Sequence, residues 1–183
     1  EWIEEFQPND VKISTKWGYT YVADFDPYAI VHEVKEHSLS KLNQQWETSK
    51  KFLPYLNIYQ IHSATLDSGV LENEAVLNRL YELKNTYKIN IGLSTSGEYQ
   101  NEIIEKALSI QVNNQPLFDS FQVTYNIFNQ HLLKIMKLLR ELDKKLIVKE
   151  ALANGRVFPN NKFPNYNNIY LVLESVRFVN CCT

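Results

Sequence analysis

An α/β fold built on about five parallel strands is what this 183-residue sequence predicts, and three observations carry the prediction. Short runs of branched and aromatic residues alternate with longer runs of helical period. Several of the short runs are nearly continuously apolar, as strands covered on both faces are. Nothing in the sequence marks an interdomain linker, and 44% hydrophobic content suffices for one core of ordinary size rather than two.

The strands are expected at 11–15 (VKIST), 56–62 (LNIYQIH), 88–94 (KINIGLS), 121–126 (FQVTYN) and 146–150 (LIVKE). Helical periods lie between them. Val76, Leu80, Leu83 and Tyr87 recur on one face with Glu and Lys opposite. Ile103 and Ile104 pair with Ala107 and Leu108, and Leu132, Ile135, Met136, Leu139 and Leu142 line up in the next run. Residues 28–53 are helix-like but long, with the polar run 38–51 (SLSKLNQQWETSKK) as an excursion. This rhythm gives βαβ units with right-handed crossovers and a parallel sheet. The Asn-rich stretch 158–168 (FPNNKFPNYNN) reads as loop, and 169–183 fits either strand or helix, so the chain divides at residue 157.

A net charge of -2 creates no field to recruit nucleic acid or an anionic membrane. No apolar stretch has the length of a transmembrane helix, and the opening EWIEEFQPND is no secretory signal. Cys181 and Cys182 are neighbours, a spacing that suits neither a mutual disulfide nor a zinc site. Two reduced thiols, no metal and a cytoplasmic location are the expectation.

In parallel α/β sheets ligands bind outside the carboxyl ends of the strands. The polar residues there are Lys16, His62, Ser94, Thr95, Gln122, Asn126, Lys149 and Glu150. His62 ends an apolar run, either as a satisfied core histidine or as a group placed at the strand mouth to meet a ligand.

Five segments, ISTKWGY (13–19), NIYQIHS (57–63), KINIGLST (88–95), FDSFQVTYN (118–126) and VKEALANGR (148–156), resemble the aldo-keto reductases in order and context. The resemblance covers roughly residues 10 to 157. It implies a partial (β/α)8 barrel corresponding to strands three to seven, with the first two strands and the end absent; a complete barrel takes about 250 residues. Its open edges imply possible self-association.

The resemblance also implies roles. His62 would hydrogen-bond the substrate carbonyl, whose oxygen gathers charge as hydride arrives. Lys16 would lower the pKa of a neighbouring tyrosine acting as proton donor. In the family that tyrosine follows an aspartate as D-x-x-x-x-Y, and residues 1–15 contain no tyrosine. Ser94 and Gln122 would hold the nicotinamide carboxamide, with Thr95 standing where an asparagine is usual. Lys149 occupies the place of an aromatic that stacks on the nicotinamide. The cofactor implied is NADPH, with NADH left open because no segment matches the 2′-phosphate grip.

The function expected is an NAD(P)H-dependent reduction of small aldehydes or ketones, without nucleic-acid or membrane partners. The alternative is a catalytically inactive remnant serving as a nucleotide-binding or protein-interaction module. A third possibility, a phosphate-binding isomerase barrel, lacks the Gly-rich phosphate loop near the last strands. Trp17, Tyr19, Tyr21 and Phe25 either wall an apolar pocket or pack their own loop.

Overall fold

The computed structural model describes residues 2–157. In chain order its elements are α1 (Trp2–Phe6), β1 (Ile13–Trp17), β2 (Tyr19–Tyr21), β3 (Glu33–Lys35), α2 (Leu39–Ser49), β4 (Leu56–Ala64), α3 (Glu74–Tyr87), β5 (Asn90–Thr95), α4 (Gln100–Ser109), β6 (Gln111–Val112), β7 (Gln115–Pro116), β8 (Ser120–Thr124), α5 (Leu133–Glu141) and β9 (Lys145–Lys149). Strands β1, β4, β5, β8 and β9 form one sheet in that spatial order, and every adjacent pair is parallel. These are the five strands expected from the sequence. The loop and tail expected over 158–183, with Cys181 and Cys182, lie outside the described residues.

The helices begin where side chains satisfy their free amides. Ser38 Oγ accepts the Lys41 amide at 3.1 Å to open α2, and Asn73 Oδ1 accepts that of Val76 at 3.2 Å to open α3. The helical expectation over 28–53 is corrected on this point: α2 occupies 39–49, so the polar run is itself the helix. Leu42, Trp46 and Ser49 form its buried stripe. The excursion lies earlier. β-Branched Val34 and its neighbours form β3, which pairs antiparallel with β2 as an arm. A second small hairpin, β6 with β7, turns through Asn113 and Asn114, both at positive φ as a tight two-residue turn requires.

The two faces of the sheet differ. Towards the helices it presents Tyr59 and Ile61 from β4, Ile91 and Leu93 from β5, and Phe121 and Val123 from β8. These join Trp46, Leu80, Leu83, Ile104 and Leu139 in one buried cluster, each large side chain contributing about 1.5–3 kcal/mol. The opposite face is mostly polar, with Ile58 and Ile147 among its residues. Gln60 Nε2 donates to Ser14 Oγ at 2.7 Å across β1 and β4. Gly92 lies between Gln60 and Ser120, where an added Cβ would stand 2.9 Å from the Ser120 carbonyl oxygen. The strands are thus less evenly apolar than their sequences suggest, because most of their large apolar residues lie on the helix-facing side.

At the carboxyl end of β8 a side chain completes the ladder. Gln100 Oε1 accepts from the Thr124 amide at 2.9 Å and from Thr95 Oγ1 at 2.8 Å, while its Nε2 donates to the Thr124 carbonyl at 3.4 Å.

Backbone, rather than a mobile side-chain tip, blocks the space beside Gly92. Gly92→Ala is therefore expected to destabilise the chain by about 1–3 kcal/mol, the usual cost of overpacking. A fall in the urea midpoint at unchanged slope tests this, and an unchanged midpoint would contradict the close approach of β5 and β8.

Candidate active site

Because the five strands run in one direction, their carboxyl ends share one rim. Lys16 stands opposite Gln60 in the β1–β4 register, with His62 two residues further along β4. Ser94 stands opposite Gln122 between β5 and β8, and Thr124 opposite Lys149 between β8 and β9. Alternation puts Lys16, His62, Ser94, Gln122 and Lys149 on the polar face together. Thr95 is the exception. It is fully buried, and its hydroxyl donates to Gln100 at the start of α4, so it lies behind the sheet from the others.

Electrostatics couple the cations of this rim. Burial lowers the pKa of Lys16, and the charge of Lys149 lowers it further. Burial likewise lowers the pKa of His62, followed by Lys16, with Lys149 and Lys35 adding to the effect and Glu33 opposing it. Both effects favour the neutral imidazole, which has one N–H to donate. Lys149 Nζ donates to Ser96 Oγ at 2.8 Å and to Glu150 at 3.3 Å, and Ser96 shares a hydrogen bond with Ser63 at 3.1 Å. Ser94, 2% exposed, accepts the Ser63 amide at 2.9 Å, which leaves its own hydroxyl proton to donate. Gln122 Oε1 is buried without a partner among the described residues.

Of the aromatics after β1, Tyr19 alone reaches this group: its ring centre lies 4.4 Å from that of His62. Trp17 is buried in the core, while Tyr21 and Phe25 pack on each other at 5.3 Å on the arm. No sequence pattern pointed to His37, whose ring bonds the His62 carbonyl at 2.9 Å, nor to Ser63 and Ser96. Gly18, where the chain can pass close to another group, was the one available hint. Beside the rim a cleft of about 500 Å³ is lined by Leu66, Asp67, Glu98, Tyr99 and Ile103. A larger hollow of about 720 Å³ lies between α1 and Tyr55, at the other end of β4, and holds none of these groups. Among the described residues no helix is long and apolar enough to cross a membrane.

Solved structures of aldo-keto reductases share this fold. The holo form of AKR11C1 from Bacillus halodurans superposes with a TM-score of 0.68 at 19% identity, over 96% of this chain and 57% of its own. For the glycerol dehydrogenase AKR11B4 from Gluconobacter oxydans the values are 0.59 and 18%, over 88% and 49%. PA4992 of Pseudomonas aeruginosa, a proposed aldo-keto reductase, gives 0.57 and 26%, over 78% and 51%. The chain has the fold of part of that barrel and spans about half the length of the structures it matches. No family model and no curated protein matches it.

Removing either lysine should raise the His62 pKa, because a like charge disfavours the imidazolium. Lys16→Gln is expected to raise it more than Lys149→Gln, following the order of the two effects at His62. An NMR titration of the histidine ring protons reads both shifts. A downward shift, or the reverse order, would contradict the convergence of these groups on one face.

Proposed function

We propose that this partial barrel binds a reduced nicotinamide dinucleotide, NADPH, at the carboxyl ends of β5, β8 and β9, and reduces an aldehyde or ketone held at His62. One observation carries the reading: Lys16, His62, Ser94, Gln122 and Lys149 share the polar face at the ends of five adjacent parallel strands. The likeness in fold to the aldo-keto reductases supports it.

The residues present fit a carboxamide. Gln122 Oε1, buried and without a partner among the described residues, is an acceptor for its NH2, and the Ser94 hydroxyl proton is a donor for its carbonyl. Lys149 offers a cation suited to an anionic part of a dinucleotide, and no ring to stack on. Thr95 shapes the site from behind through Gln100 and makes no contact with the cofactor in this reading. The bound cofactor supplies the hydride. His62 donates to the carbonyl oxygen, where charge builds, and the nearby Lys16 charge favours the same oxyanion. As the new C–H bond formed, the carbonyl's π pair would move onto oxygen, which would take its proton from solvent water to complete the alcohol, and the cofactor would leave in its oxidised form. Water exclusion is partial: the Tyr19 ring covers one side of His62.

Calorimetry with NADPH and NADH, followed by turnover with a panel of aldehydes, tests the proposal. Ser94→Ala and Gln122→Leu are each expected to weaken dinucleotide binding by about 3–10-fold, the worth of one net hydrogen bond. His62→Ala should leave binding intact and lower turnover by about 10²-fold, as loss of an oxyanion donor does. Binding without turnover in the unmodified chain would favour the nucleotide-binding module instead. Absence of binding at millimolar dinucleotide would overturn both.

A further inference from the structure

β4 does not reach the rim as a regular strand. Its pairing with β5 slips between Ile61 and Ala64, and Ser63 adopts a left-handed φ of 49°. A bulge of this kind re-aims a side chain at the cost of ladder hydrogen bonds. Two groups at the slip are caught by side chains instead. The Ser63 amide donates to Ser94 Oγ at 2.9 Å, and the His62 carbonyl meets His37 Nε2 at 2.9 Å.

A carbonyl only accepts, so His37 carries its proton on Nε2 and leaves Nδ1 bare. Nδ1 is buried with no partner among the described residues. Burial pushes the His37 pKa down to about 4, against the raising effect of the His62 bond, with Lys35 and His62 lowering it further. Across the neutral range His37 is therefore an uncharged, fixed donor. Its ring stands 5.5 Å from Trp17 and 6.3 Å from Tyr19. Gly18 passes so close that an added Cβ would lie 2.2 Å from His37 Cδ2. Gln45 clips this crossing in place, accepting the Gly18 amide and donating to the Tyr19 carbonyl, both at 2.7 Å.

We propose that His37 is a positioning residue: its Nε2–H holds the carbonyl released by the bulge and so fixes the His62 imidazole at the strand mouth against Tyr19. The proposal rests on the reading of His62 as the donor to the substrate carbonyl, and adds a residue that touches neither substrate nor cofactor. The charged groups facing His62 are Lys16 and Lys149 from the strand ends and Glu33 and Lys35 from β3. All four remain when His37 is replaced, so a change in His62 reports its placement.

His37→Phe keeps an aromatic ring and removes the donor, while His37→Gln keeps an N–H near the same point. NMR titration of the labelled full chain from pH 5 to 8 is expected to show the His62 midpoint rising towards the ordinary histidine value in His37→Phe and returning in His37→Gln. Gly18→Ala, which presses on the His37 ring, should mimic His37→Phe. Equal shifts in Phe and Gln variants, or none in either, would overturn the proposal. Should His37→Phe not fold, long-range proton–nitrogen spectra of the unmodified chain decide: a His37 tautomer protonated on Nδ1 would overturn it, and one protonated on Nε2 supports it. Turnover enters none of these measurements, so failure of the reductase reading and failure of this one are distinguishable.

Discussion

The polar face of the sheet depends on how closely β5 and β8 approach. Gly92 lets the two strands meet with the Ser120 carbonyl within 3 Å of where a side chain would begin. That approach sets the register Ser94 to Gln122 two residues later, and with it the candidate carboxamide contacts. The apolar side supplies the stability for this arrangement: Leu93, Phe121 and Val123 are fully buried against the helices. One face therefore holds the sheet together while the other is left free to be mostly polar. The candidate site lies where that second face meets the carboxyl-end rim.

Strand positions were legible because their apolar runs are short, bounded and rich in branched residues. The helix-facing halves of α3 and α5 were equally legible from their period. The arm of β2 and β3 was not, since three-residue strands with half-buried or exposed side chains carry no burial pattern. At the rim, strand-end residues could be named one at a time, but their side of the sheet depends on the exact register. Thr95 follows Ser94 directly and so faces the opposite way, a consequence of the two-residue period that residue identity hides. His37 was invisible because its partner is a backbone carbonyl that only the β4 bulge exposes.

Charge is distributed unevenly in a chain that is nearly neutral. Lys16, Lys35 and Lys149 all act on His62, and Glu33 alone opposes them there. The arm contributes two of these charges, and Lys35 Nζ also ties it to Thr65 after β4 at 2.8 Å. An element outside the sheet thereby tunes a group at its rim.

The Gln100 amide meets both backbone polar groups of Thr124 as a neighbouring peptide would. A side chain here counterfeits one rung of the ladder beyond the last β5–β8 backbone pair. The forgery demands an amide: a glutamate of the same outline would turn a lone pair, and a charge, towards the Thr124 carbonyl. Since the rung belongs to the first residue of α4, helix and sheet cannot slide past one another without breaking it. The contact works as a detent, setting the height of the helix against the strand mouths.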